Sequence, residues 1–70
     1  MRIKINEFQV VFCDDIYVGI SGVSNSGMIY AHTSRCTYTI HFDSIEEAKV
    51  ALNETLVKGY FDASGHTIDF

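Results

Sequence analysis

The residues with chemical potential in this 70-residue chain are three histidines, two cysteines and nine carboxylates. His41 and Asp43 stand two apart, on one side of an extended segment, and such a pair is the start of a metal site. No second His or Cys follows at ligand spacing, so the pair reads as a solvated strand end. His32 and His66 have no partner recognisable by spacing and are expected at the surface or on a strand edge. Cys36 lies between His32 and His41 in sequence, but a thiol and an imidazole make a nucleophile and its base only where the fold joins them, and no family signature surrounds them. Gly19 to Gly22 and Ser24 to Gly27 are glycine-containing runs that do not open a helix, so their amides are not aimed at a phosphate. They read as a strand glycine and a hairpin turn. The expectation is therefore no catalytic residue, no metal and no cofactor. A chain this short also has little room for an enclosed pocket of the usual several hundred cubic ångströms, which argues against an enzyme.

Composition narrows the remaining classes. The chain is 47% hydrophobic, with five Phe and four Tyr, which is too apolar for a disordered segment. Seventy residues allow one domain, which buries only about 60% of the surface its unfolded chain exposes, so an oligomer or a partner is a reasonable source of extra stability. The formal charge of -4, with only five Lys and Arg, argues against nucleic acid as a general partner. It favours a basic protein instead, including a nucleic-acid-binding one whose surface an acidic protein would mimic. Cys13 and Cys36 fit two reduced, buried thiols better than a disulfide. With no basic leader before an apolar run and no apolar stretch of membrane-spanning length, a cytoplasmic location without membrane attachment is expected.

The elements that must position these groups follow from hydrophobic period. Residues 1 to 6 alternate, with Ile3 and Ile5 on one side and Arg2 and Lys4 on the other, as in an edge strand with charged outer positions. At Asn6 and Glu7 the phase slips by one, so that Phe8, Val10 and Phe12 share a face with Val11 and Cys13 opposite. A bulge, a bend or two short strands would each produce that slip. Asp14 and Asp15 signal a turn, Ile16, Val18 and Ile20 form the inward face of a next strand, and residues 8 to 22 read as a hairpin. Residues 28 to 42 are extended, either as one bent strand or, the favoured reading, as two strands broken at Ser34 and Arg35, where no apolar position occurs.

Within residues 37 to 58 the period changes from 2 to 3.6, the mark of a strand feeding a helix. Ser44 and Glu47 form an S-x-x-E capping box, Asp43, Glu46 and Glu47 sit at the positive end, and Gly59 supplies the left-handed cap. Ile45, Ala48, Ala51, Leu52, Leu56 and Tyr60 fall on one helix face, and Glu54 and Lys58 form an i,i+4 pair. Val50, Val57 and Phe61 are left over as a second apolar stripe. Asp62 to Gly65 is a turn, and His66 to Phe70 alternates as a short last strand.

In the strand-to-helix junction from Phe42 to Lys49, and in the small acidic sheet-plus-helix pattern as a whole, the chain resembles small phage-encoded inhibitors of host defence, the anti-CRISPR type among them. That resemblance implies a protein acting in the host cytoplasm by occupying a surface on a host protein or complex, without catalysis. It transfers no site residue. The fold expected is α+β, an antiparallel sheet of three to five strands with one helix over about residues 44 to 58 on one face and a short C-terminal strand. The function expected is protein binding through Glu46, Glu47 and Glu54 around Val50, Val57 and Phe61, unless the C-terminal strand or a homodimer covers that stripe. Two alternatives stay open: a binder of single-stranded nucleic acid or a small ligand on an aromatic sheet face of Tyr17, Tyr30 and Tyr38, and a structural homo-oligomer.

Overall fold

A computed structural model describes residues 1–20 and 26–69. The chain is an α+β fold in which, among the described residues, seven strands and one helix follow the order β1 (Arg2–Asn6), β2 (Gln9–Phe12), β3 (Asp15–Ile20), β4 (Gly27–His32), β5 (Thr37–Phe42), α1 (Ile45–Lys58), β6 (Tyr60–Asp62) and β7 (Ile68–Asp69). The strands divide between two sheets, one of three strands ordered β2-β1-β6 and one of four ordered β3-β4-β5-β7. Every pairing is antiparallel except β1 with β6, which is parallel. The turn expected at Ser24 to Gly27, together with Gly22 and Phe70, falls wholly or partly outside the described residues.

The phase slip at the N-terminus resolves into two short strands. β1 and β2 form a hairpin whose register shifts between Lys4 and Asn6, and the Asn6 side chain accepts from the Phe8 amide at 2.8 Å across the turn. The expected hairpin over residues 8 to 22 is not present, because β2 pairs with β1 while β3 pairs with β4. Asp14 marks where the chain leaves one sheet for the other, and its amide donates to the His32 carbonyl. β1 is the central strand of its sheet, not an edge. The strand that covers it, β6, arrives from more than fifty residues away and leaves no local trace in the sequence.

The break at Ser34 and Arg35 separates β4 from β5, with the Thr33 hydroxyl donating to the Cys36 carbonyl and accepting from the Arg35 and Cys36 amides. The helix begins and ends as the sequence implies. Ser44 is extended and its hydroxyl accepts from the Glu47 amide, while Gly59 closes the helix at φ 72°. One core cluster draws on both sheets and the helix, with Ile3 and Ile5 from β1, Ile29 from β4, Ile40 from β5, and Ala48 and Ala51 from α1. No helix among the described residues is long and apolar enough to cross a membrane.

Candidate functional site

α1 meets the core through small side chains. Ala48, Ala51 and Thr55 are its buried residues, and Thr55 satisfies its hydroxyl by donating to the Ala51 carbonyl at 2.8 Å. Small residues let the helix axis come close to the sheet, and Gly27 of β4 completes the close approach beneath Ile45 and Ala48. The consequence is that Val50, Leu56 and Val57 are turned away, while Ile45 and Leu52 stay half-buried, Leu52 against the core. Leu56, expected inside, is 59% exposed, and Val50 and Val57 are 60% and 78% exposed. Tyr60 is not on the helix at all, since α1 stops at Lys58. The signal that would have placed Leu56 outside is the Ala48, Ala51, Thr55 series at i, i+3 and i+7, which defines a narrower and differently centred buried stripe than the aliphatic residues suggest.

Of the six residues predicted as a binding site, the structure gathers Glu46, Glu47, Val50 and Glu54 around one shallow depression of about 310 Å³, floored by Ala51. Val57 stands two turns from Val50 on the same outward face, seven residues along the helix. Phe61 does not belong to this surface. It lies in β6, half-buried against the core, with its ring 6.0 Å from that of Phe42 and 5.8 Å from His66. The helix ends before Phe61, and the β-strand that follows turns its ring inward. Among the described residues the ion pair along α1 is Glu46 with Lys49 at 3.8 Å rather than the expected Glu54 with Lys58. Glu54 therefore stands at the rim of the depression with no ion-pair partner among the described residues.

The other candidate groups have structural partners. His41 Nε2 lies 2.6 Å from Asp69 Oδ2, across β5 and β7. His32 bridges Tyr17 and Thr37, at 3.0 and 2.7 Å, and His66 packs on the Phe42 ring with centroids 4.5 Å apart. Among the described residues no group of three His, Cys, Asp or Glu could share a metal ion. Cys36 packs toward the core, whereas His32 and His41 alternate onto the opposite face of the four-stranded sheet, so the fold separates the thiol from both imidazoles. Both cysteines are free thiols, Cys13 buried and Cys36 half-buried. Burial pushes the Cys13 thiol above its ordinary value, and burial together with the neighbouring Cys36 does the same to the Tyr38 phenol.

The aromatic face is also smaller than expected. Tyr17 and Tyr30 face each other across β3 and β4 with centroids 5.2 Å apart, and Tyr17 stacks on His32 at 5.3 Å. Tyr38 lies on the other side of the sheet, buried, where its hydroxyl meets the Gln9 side chain at 3.5 Å. Its strand position opposite Ala31 puts it among the inward residues.

The chain matches no protein-family model, no curated protein and no solved structure. The outward face of α1 presents aliphatic side chains to water, with carboxylates around them.

Proposed function

We propose that this protein is a protein-binding module that occupies a basic surface on its partner with the outward face of α1. The observation that carries this reading is the exposure of Val50 and Val57 on one helix face, with Glu46 and Glu54 beside them. Apolar anchors ringed by polar groups are the usual make-up of an interface centre, and carboxylates at the rim select a partner of opposite charge and speed its approach. With a net charge of -4 the whole molecule reinforces that choice. Occupation of a nucleic-acid-binding surface on a host-defence protein is the specific form of this reading that the resemblance to phage inhibitors suggests, and it needs no catalytic group.

The test is affinity capture from host lysate with three baits: the natural chain, a Val50→Asp/Val57→Asp variant and a Glu46→Lys/Glu54→Lys variant, each checked for native circular dichroism. A basic protein retained by the first bait, lost by both variants and displaced by added nucleic acid supports the proposal. A partner retained equally by all three overturns it. The alternative, a single-stranded nucleic acid or small ligand on the outer sheet face, now rests on Tyr17 and Tyr30 beside His32. An electrophoretic shift that weakens steeply with salt and is lost in Tyr17→Ala would favour it.

A further inference from the structure

We propose that β2 is a self-pairing edge, through which two copies of this chain join their Gln9–Phe12 strands antiparallel and merge their three-stranded sheets into one continuous sheet. This surface is separate from the outward face of α1, and the inference does not rest on the function proposed for that face.

β2 is the outermost strand of its sheet. The direction of its backbone groups follows from those of β1. The Arg2 amide donates to the Gly59 carbonyl and the Lys4 carbonyl accepts from the Ala63 amide, so both residues direct their backbone toward the β6 side. Phe12 and Val10 stand opposite Arg2 and Lys4 and are therefore non-hydrogen-bonded positions of the β1–β2 ladder. Their N–H and C=O groups point to the open edge. Donors and acceptors repeating at that spacing match another extended chain, and neither a helix nor the flat face of a sheet can satisfy them.

The side chains say which extended chain. Val10 and Phe12 are 49% and 72% exposed on the outer face, and Phe8, in the turn just before β2, is 94% exposed, while Val11 and Cys13 turn inward. Among the described residues the sheets end in four edge strands, and three of them carry an aspartate: Asp15 in β3, Asp62 in β6 and Asp69 in β7. In a two-fold antiparallel pairing such a charge meets its own copy if it lies near the axis and is set beside the second strand's apolar residues if it does not, and either disfavours self-pairing. β2, of sequence QVVF, has no charged residue, no lysine and no proline to blunt it. One antiparallel register, which sets Val10 against Phe12 of the second copy, satisfies the outward groups of both residues. Setting Val10 against Val10 would instead bring Phe12 onto Phe8, which lies in the turn before β2 with its amide already given to Asn6. In the first register Val10 and Phe12 meet only Phe or Val, the aromatic and β-branched pairs that stabilise sheets. One phenylalanine at about 150–250 Å², added to a valine, stays well under half of the ~800 Å² per partner of a standard interface. The dimer is therefore concentration-dependent, not obligate.

Sedimentation equilibrium over a thousandfold range of concentration tests this, with the natural chain, Val10→Lys, Phe12→Lys and Val57→Asp run side by side and their folds checked by circular dichroism. The expected result is a mass rising from 7.9 kDa toward twice that value for the natural chain and for Val57→Asp, with either lysine variant staying at the monomer mass. Should both lysine variants fail to fold, hydrogen exchange on the natural chain decides instead: the Val10 and Phe12 amides slow at least tenfold from low to high concentration while exposed loop amides do not. A natural chain that remains monomeric throughout, a dimer that Val57→Asp abolishes, or Val10 and Phe12 amides whose exchange ignores concentration would each overturn the proposal.

Discussion

Gly27 lies directly under Ile45: a Cβ at Gly27 would stand 2.7 Å from the Ile45 Cα, 2.8 Å from the Ala48 Cβ and 2.9 Å from the Ser44 carbonyl oxygen. The first turn of α1 thus rests on bare backbone of β4, and the obstacle to any side chain there is main chain that cannot swing aside. Gly27→Val should cost about 1–3 kcal/mol, the range for overpacking. Gly19→Ala, whose added carbon would meet the Tyr30 ring on the outer face of the sheet, is expected to cost less because that ring can rotate into solvent. Urea denaturation of both variants makes the comparison, and equal losses would contradict the close seating of the helix.

The two helix caps act independently. Ser44→Ala removes the acceptor of the Glu47 amide and should cost about 1 kcal/mol. Gly59→Ala places a Cβ in the left-handed region at φ 72° and should cost about 1–2 kcal/mol. The sites lie at opposite ends of a 14-residue helix, roughly 21 Å apart at the standard rise, so the double variant should lose the sum. A double-mutant cycle with a large coupling energy would show that the caps share a structural unit.

Leu56 and Ala48 exchange the roles their sizes suggest. Leu56→Ala should change stability by less than about 1 kcal/mol, because surface substitutions seldom do more, whereas a buried leucine would cost ~2–5 kcal/mol. Ala48→Leu, at a fully buried position, should be the more damaging of the two. Thermal melts of the pair would reverse that order if the helix were seated on its aliphatic residues.

Cys13 holds its proton more tightly in the folded chain than in the unfolded one, since burial raises its pKa from the ordinary 9.0. The stability this contributes is complete below the unfolded value and is lost as pH rises through the folded one. In a Tyr38→Phe background, which removes the other buried acid, the urea midpoint should fall from pH 8 to pH 10.5, and should fall less when Cys13 is replaced by Ala. At pH 8 a thiol reagent should modify half-buried Cys36 first. Equal rates for both thiols in the folded protein would contradict the burial of Cys13.

Asp62 titrates in the opposite sense. Its carboxylate accepts from the Ser64 hydroxyl at 2.6 Å and the Ser64 amide at 3.0 Å, bonds that lower its pKa and pin the turn after β6. That support is present above the ordinary carboxylate pKa and lost as pH falls through the folded value. The Ser64 amide resonance should therefore shift in the acid range below pH 4, and Asp62→Asn should flatten the shift. A pH-independent Ser64 amide would show that the turn does not depend on the charge.

The parts of this fold that were legible beforehand depend on neighbours in sequence. The helix bounds, the caps at Ser44 and Gly59, the inward set of Ile3 and Ile5, and the break at Ser34 and Arg35 all follow from period and local hydrogen bonding, which operate over a few residues. That Glu46, Glu47, Val50 and Glu54 line one depression follows in the same way, because a helix fixes their mutual geometry. Phe61 was misplaced because the helix stops at Lys58, and Tyr38 because its face depends on which side of β5 the helix covers.

Amino-acid order by itself determined that this is an α+β chain with one well-capped helix, since propensity and capping are local energies. Which strands pair, that β1 is flanked on both sides, that α1 sits on alanines and turns Val50, Leu56 and Val57 to water, and that β2 is left as an uncharged open edge were decided only in the tertiary structure. The physical reason is that strand pairing and close packing are contacts between segments distant along the chain. Their outcome is set by how all the elements fill one core together, a quantity no single stretch of sequence contains.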